Sequence, residues 1–115
     1  MTKPNNVDRL KHILDAIAKI ERYLHGLDSE IFRSNEQKID AVVRNIEIIG
    51  EAAACLTRDL KAKYPEIEWR IATATRNRLI HGYFDIDANI IWDTCENDLP
   101  NFKSAIEKVL KELDS

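Results

Sequence analysis

Apolar residues recur at intervals of three and four through most of this chain, and this spacing is the feature that most constrains its fold. In the first segment, NNVDRLKHILDAIAKIERYLHG, the stripe comprises Val7, Leu10, Leu14, Ile17, Ile20 and Leu24. A period near 3.6 places such residues on one face of an α-helix. Asn5 or Asn6 can serve as the N-cap and Gly26 as the terminator. The segment is therefore predicted to be an amphipathic helix.

A second helix is predicted after a short connection. Residues 27–33 form this connection, with a possible helical turn at SEIFR. Ser34 as N-cap and Gln37 three residues later match a capping box. The helical pattern then continues to about Tyr64, and Pro65 supplies the stop.

This second helix is apolar on two sides. One stripe holds Ile39, Val42, Val43, Ile46, Ile49, Ala53 and Leu56, and the other holds Ala41, Ile48, Ala52 and Cys55. Such a helix is covered twice, either as the central element of a bundle or at a partner interface. Gly50 is interpreted as a close helix contact or a kink, and a direct role of Gly50 and Glu51 in a site is the alternative.

The rest of the chain is also predicted to be helical. IEWRIATATRNRLIH forms a third long helix that ends at Gly82, Asp85 or Asp87 caps a fourth in ANIIWDTCENDL, and NFKSAIEKVLKEL after Pro100 forms a fifth. Apolar residues make up 44% of 115, with only three glycines and three prolines, which suits a compact helical domain. We expect one domain over residues 1–115, an all-α antiparallel bundle of about five helices.

Composition excludes several classes of protein. No apolar run approaches the roughly 20 residues of a membrane span, and MTKPNNVDRL lacks the apolar core of a signal peptide, so we expect a cytoplasmic protein without membrane contact. The formal net charge of −3 argues against a strong non-specific grip on nucleic acid over the whole surface. Cys55 and Cys95 fit neither a disulfide framework nor a metal motif, and both are predicted to be small core residues. His12, near Asp8 and Asp15, is interpreted as part of a solvated face rather than a metal site.

Polar residues crowd the end of the third helix, in RNRLIHGYFD at residues 76–85. At 100° per residue, Arg76 lies within about 60° of Trp69, Leu79 and Ile80 on the apolar face. A buried guanidinium requires partners. Arg76 therefore either pairs with an acidic residue of the second helix, such as Glu47 or Glu51, or borders a cleft.

Histidine and arginine together suit phosphodiester chemistry. His81 occupies the last helical turn and can exchange protons near neutral pH, while Arg76 can bind a phosphate and stabilise charge that builds on it. A structural explanation competes: His81 as a helix cap, Arg76 in an interior salt bridge and Tyr83 as a core ring. Trp69 and Trp92 are interpreted as packing residues rather than base-stacking platforms.

The motif resembles a known family. RNRLIHGY matches the Arg-x4-His-x-Tyr pattern of the HEPN superfamily, with Arg76, His81 and Tyr83 at the pattern positions and Asn77 in the polar slot after the arginine. The chain looks like the HepT-like branch, since AVVRNIEIIGEAA, IEWRIA and DIDANIIWDTCENDLP are also similar to it. The resemblance covers nearly the whole chain.

The resemblance implies a metal-independent RNA endonuclease without cofactor, commonly the toxin of a toxin–antitoxin pair. It implies Arg76 and His81 as catalytic residues at a homodimer interface, Asn77 and Tyr83 as supporting residues, and RNA, such as tRNA or mRNA, as substrate. The implied partner is a minimal nucleotidyltransferase antitoxin that attaches AMP to Tyr83. The alternative is a non-catalytic HEPN module that binds a nucleotide or serves as a partner subunit of the nucleotidyltransferase.

Overall fold

A computed structural model describes residues 5–67, 69 and 87–114 of the chain. The helices are α1 (Asn6–Leu24), α2 (Ser29–Arg33), α3 (Glu36–Ala54), α4 (Arg58–Lys63), α5 (Ala88–Asp93) and α6 (Leu99–Asp114), and a π-helical turn at Thr94–Asp98 joins the last two. These residues include no strand. The predicted all-α antiparallel bundle is confirmed.

The first helix begins and ends where the sequence predicts, and the helical turn considered at SEIFR is present. Asn5 caps α1: its side chain accepts a hydrogen bond from the backbone N–H of Asp8, whose carboxylate accepts one from the N–H of Asn5. Gly26 lies past the end of α1 with a φ of 78°, a conformation that favours glycine. The turn SEIFR is α2, and Asp28 caps it.

The predicted cap of α3 is one residue too early. Asn35, and not Ser34, accepts a hydrogen bond from the N–H of Lys38 at 3.1 Å. The Ser34 hydroxyl instead donates to the carbonyl of Ile31 at 3.0 Å, so it satisfies the end of α2. The end of α2 and the start of α3 are adjacent here, so Ser34 hydrogen-bonds to the end of α2 and Asn35 to the start of α3.

The prediction of one helix reaching Tyr64 is also wrong. α3 ends at Ala54, and α4 begins after Thr57, whose hydroxyl accepts from the N–H of Leu60 at 3.3 Å. Asn6 stabilises this second start: its Nδ2 donates to the Thr57 hydroxyl at 3.0 Å, and its Oδ1 accepts from the Thr57 N–H at 3.2 Å. Because that N–H is directed to α1, it does not continue the ladder of α3.

The predicted fourth and fifth helices are continuous rather than separate. Asp87 caps α5, as predicted. Pro100 has no N–H to offer the carbonyl of Glu96, and its ring crowds that carbonyl. The chain passes this point through the wider π-helical turn, in which the N–H of Leu99 donates to the carbonyl of Thr94.

The core lies between α1, α3 and α6. α1 packs most extensively on α3 and also contacts α6, while α2 contacts α3 and α5. The buried apolar residues of the three long helices are Leu10, Ile13, Ala16, Ile17 and Ile20, then Val42, Val43, Ile46, Ile49, Ala52 and Ala53, then Phe102, Ile106 and Val109. Nowhere in the described ranges is a helix both long and apolar enough to cross a membrane.

The two stripes of α3 differ in burial. All of the first stripe is buried except Ile39, which is half-buried. In the second stripe Ala52 is buried, Ala41 and Ile48 are half-buried, and Cys55 is exposed. The prediction of a core role is therefore wrong for Cys55, which lies just past the end of α3 on its solvent side, and confirmed for Cys95, which is buried.

Candidate active site

The motif predicted to carry the chemistry lies outside the described residues. Arg76, Asn77, His81 and Tyr83 all fall within residues 70–86, so the structure does not test their roles. Trp69 precedes this segment and Asp87 follows it. The contacts of Trp69 and Asp87 show how the bundle fixes the two described residues on either side of this segment.

Trp69 is anchored on α6 and on the end of α4. Its ring meets Phe102 edge-on, with centroids 6.3 Å apart and planes at 85°, and its Nε1 donates to the carbonyl of Tyr64 at 3.3 Å. The buried Tyr64 donates its hydroxyl proton to the carboxylate of Glu112. That hydrogen bond, together with burial, raises the pKa of Tyr64 above its ordinary value. The predicted packing role of Trp69 is confirmed.

Asp87 is anchored through α5. Its carboxylate accepts from the N–H of Asn89 at 2.9 Å, and Asn89 Oδ1 accepts from Nη1 of Arg33 at 3.0 Å, which connects α5 to α2. One turn further on, the Trp92 ring packs on Phe32 with centroids 5.5 Å apart. Trp92 is thus also a packing residue, as predicted. Trp69 and Asp87, the described residues on either side of residues 70–86, are therefore both held by contacts with the helices of the bundle.

The two acidic residues considered as partners of Arg76 lie on the more solvent-exposed side of α3. Glu47 is 3.5 Å from the guanidinium of Arg44, and their side chains are 27% and 64% exposed. Glu51 is exposed. An exposed pair of this kind contributes little stability. A pairing of either glutamate with Arg76 remains a prediction, because Arg76 lies outside the described residues.

A residue that the sequence analysis did not single out is the buried polar group of α3. Asn45 is 5% exposed, and its Nδ2 donates to the carbonyl of Ala41 at 2.9 Å. Its Oδ1 has no donor among the described residues. The sequence signal was present, because Asn45 interrupts the apolar face between Val42 and Ile49.

No metal-binding cluster of His, Cys, Asp or Glu occurs within residues 5–67, 69 and 87–114. His12 is exposed on α1. Burial, and to a smaller extent the charge of Glu96, raises the pKa of Cys95 to about 12, so its thiol stays protonated at neutral pH. Cys95 is therefore a core residue and not a nucleophile.

Comparison with known proteins shows the family to which this chain is similar. The profile described as "Ribonuclease HepT-like" matches residues 13–109, a span that includes the whole Arg-x4-His-x-Tyr motif. A probable ribonuclease HepT of Thermococcus cleftensis is 38% identical over 109 residues, which are 95% of this chain and 99% of that protein. No solved structure gives a significant match.

Two proteins of Methanocaldococcus jannaschii are also similar. One, which is named provisionally as an RNase, is 34% identical over 91% of this chain and 90% of its own length. The other is named as a gamma-glutamylcyclotransferase and, provisionally, an RNase; it is 38% identical over 91% of this chain and 47% of its own length.

Proposed function

Because the chain belongs to the HepT-like ribonuclease family, we propose that it is a metal-independent RNA endonuclease whose catalytic residues are Arg76 and His81. The observation that carries this proposal is the family match over residues 13–109, which spans the motif. The reaction class follows from the residues: a proton-exchanging imidazole beside a phosphate-binding guanidinium.

The proposed mechanism uses the nucleophile that RNA carries. One His81 takes the proton of the ribose 2′-hydroxyl, and the 2′-oxygen attacks the adjacent phosphorus. Arg76 stabilises the negative charge of the pentacovalent phosphate. A second His81, or a water, protonates the departing 5′-oxygen. The products end in a 2′,3′-cyclic phosphate, and no step requires a metal or another cofactor.

A two-fold dimer completes the proposed site. Each protomer supplies one Arg76 and one His81, so that a cleft between two copies offers two of each. Asn77 supports this arrangement as a polar neighbour of Arg76. The half-buried part of the second stripe of α3, Ala41 and Ile48, agrees with a helix that contacts a partner.

We further propose that the protein is the toxin of a cytoplasmic toxin–antitoxin pair. Its partner would be a minimal nucleotidyltransferase that attaches AMP to Tyr83. Tyr83 lies two residues past His81, beyond Gly82. Added negative charge and bulk at this position would block a phosphate site both electrostatically and sterically.

Cleavage of total RNA and tRNA by the purified protein, with and without EDTA, tests the proposed function. The parent should cut in EDTA and leave 2′,3′-cyclic or 3′-phosphate ends, while His81→Ala and Arg76→Ala should each lower the rate by at least about a hundredfold. His12→Ala, which changes an exposed histidine of α1, is the matched control and should keep the parent rate. Equal cutting by His81→Ala, or cutting only with added divalent metal, would contradict the mechanism.

A non-catalytic role is the second candidate. The net charge of −3 favours it, because a nuclease for long RNA usually presents a broader basic surface. In that case the chain binds a nucleotide or serves as a partner subunit of a nucleotidyltransferase. Parent protein that cuts no faster than Arg76→Ala, yet binds the nucleotidyltransferase, would support this alternative.

A further inference from the structure

A group of exposed basic residues lies on the last turns of α1. Lys19 and Arg22 are three residues apart and Tyr23 follows Lys19 by four, so all three lie on one side of the helix. Lys19 and Arg22 are exposed, and Tyr23 is half-buried. Two long cationic side chains therefore lie beside a tyrosine ring at this end of α1.

Lys38 of α3 extends this surface. Its Nζ lies 5.5 Å from the centroid of the Tyr23 ring, so α1 and α3 contribute to the same surface. Glu36 and Asp40 are each two residues from Lys38 and hence lie about 160° away around α3. The surface is called the basic patch, and it comprises Lys19, Arg22, Tyr23 and Lys38.

Helix stability accounts for only part of the basic patch. Arg22 belongs to the last turn of α1, where the helix macrodipole favours a cation. Lys38 is the third residue of α3, and the macrodipole disfavours a cation in that first turn. Lys38 is therefore placed against the electrostatic preference of its own helix, which agrees with a binding role for its charge.

The charges of the basic patch are not neutralised within the part of the chain that the structure describes. Neither of the ion pairs found there includes a cation of the patch. Glu21, which lies between the two cations of the α1 part in sequence, instead pairs with Lys103 of α6, whose Nζ is 3.0 Å from its carboxylate. Asp15, one turn before Lys19, bounds the patch on α1. The three cations are therefore available to an anionic partner.

We propose that the basic patch binds the phosphate backbone of the RNA substrate, in addition to the phosphate that Arg76 is proposed to hold. The identity of the substrate rests on the proposed function. Cations that replace the counterions of a nucleic acid backbone supply most of its sequence-independent binding. Such contacts fix the position of the strand and do not read its bases. A patch of this kind allows a chain with a formal net charge of −3 to bind RNA locally.

An acidic protein is the competing partner for three cations. Protein interfaces, however, are depleted of lysine and usually have an apolar centre. The exposed large apolar residue of the described chain is Ile31 of α2, which is not part of the basic patch. Lysines and an arginine without an exposed apolar centre fit a phosphate backbone better than a protein surface.

Binding of a 2′-O-methyl RNA oligonucleotide tests the patch without cleavage, because this RNA keeps its phosphates but lacks the 2′-hydroxyl nucleophile. Fluorescence anisotropy at several salt concentrations gives the slope of log K against log salt. The triple variant Lys19→Gln/Arg22→Gln/Lys38→Gln should reduce this slope by about two, which is about 0.7 for each lost contact, and should weaken binding at low salt at least about tenfold. The single variants Lys19→Gln and Lys38→Gln should each reduce the slope by about 0.7.

A second triple variant with the same change in net charge is the matched control. Arg58→Gln/Lys108→Gln/Lys111→Gln removes three exposed cations of α4 and α6 and should keep the parent slope. Equal losses in the two triple variants would show that net charge alone matters and would overturn the patch. The parent slope in the patch variant, or parent protein that does not bind the oligonucleotide, would overturn it as well.

Cleavage kinetics separate the basic patch from the proposed catalytic residues. With cleavable RNA the patch variant should raise KM at least about tenfold and leave kcat near the parent value, because it removes binding that the substrate and the transition state share. Parent protein that binds through the patch but cuts no RNA would refute the proposed function and leave the patch standing. Cleavage by the patch variant with the parent KM would refute the patch and leave the function standing. Loss of binding to the nucleotidyltransferase, with RNA affinity intact, would assign the patch to a protein partner and overturn the proposal.

Discussion

The two cysteines of the chain lie in opposite environments. Cys95 is buried between the helices, and burial raises the pKa of its thiol to about 12, whereas Cys55 is exposed after the end of α3. The thiolate is the form that reacts with alkylating reagents. At pH 8 a thiol of pKa about 12 is ionised in roughly one molecule in ten thousand. The native protein should therefore present one reactive thiol.

Alkylation followed by mass spectrometry measures this difference. In native protein at pH 8 we expect rapid modification of Cys55 and protection of Cys95, and modification of both in denaturant. The variant Cys55→Ala should lose the rapid phase altogether. Rapid modification of Cys95 in this variant under native conditions would show that Cys95 is not buried.

Tyr83 carries the proposed regulation by modification. When the protein is produced together with the proposed nucleotidyltransferase partner, intact mass should show added AMP groups, and peptide mapping should place them at Tyr83. Tyr83→Phe should abolish them. Tyr23→Phe, which changes a half-buried tyrosine of α1, should leave them in place. AMP that persists on Tyr83→Phe would refute the assignment.

At the scale of the elements, the start of α4 depends on a contact between helices that are distant in sequence. The Thr57 hydroxyl both caps α4 and accepts from Asn6 of α1. Removing an N-cap of this kind typically costs about 1 kcal/mol, within a range of about 0.5–2 kcal/mol. Thr57 therefore stabilises a helix start and the packing of α1 together.

Urea unfolding of Thr57 variants measures this contribution. Thr57→Ala should lower the free energy of unfolding by about 1–2 kcal/mol, because it removes the cap and the acceptor for Asn6. Thr57→Ser keeps the hydroxyl and should lose much less. If the alanine and serine variants are equally stable, the hydroxyl does not cap α4.

The long segment from Ala88 to Asp114 shows how one residue changes an element. Three consecutive pieces, α5, the π-helical turn and α6, follow each other without a break. Proline inside a helix usually ends or kinks it. Here the π-helical turn just before Pro100 makes room for a residue that has no backbone N–H. The helix then continues as α6, which packs against α1.

At the scale of the whole molecule, the proposed site requires two copies of the chain. If each protomer supplies half of the cleft, activity should depend on the fraction of dimer. Sedimentation of a dilution series should show the mass of two chains at high concentration. The rate of RNA cleavage per chain should fall in parallel with the dimer at low concentration. Undiminished activity per chain in a fully monomeric sample would contradict the shared site.

Much of the bundle follows from sequence alone, because helix formation depends on residues a few positions apart. The 3.6-residue period, the Asn5 and Asp87 caps and the glycine at position 26 are signals of this kind, and each is confirmed. The predicted packing roles of Trp69 and Trp92 also hold. The predicted site residues Arg76, Asn77, His81 and Tyr83 remain predictions, since they lie outside the described residues.

What the sequence by itself determined is therefore the class of fold, the starts of α1 and α5 and, through its motif and the similar segments around it, the family of ribonucleases. Only the tertiary structure decided where α3 stops, because Thr57 takes its partner from Asn6, 51 positions away. It also decided that Cys55 is exposed, while Asn45 is buried with an amide oxygen that has no donor among the described residues. Periodicity specifies which residues share a helix face, but burial and hydrogen-bond partners depend on what packs against that face.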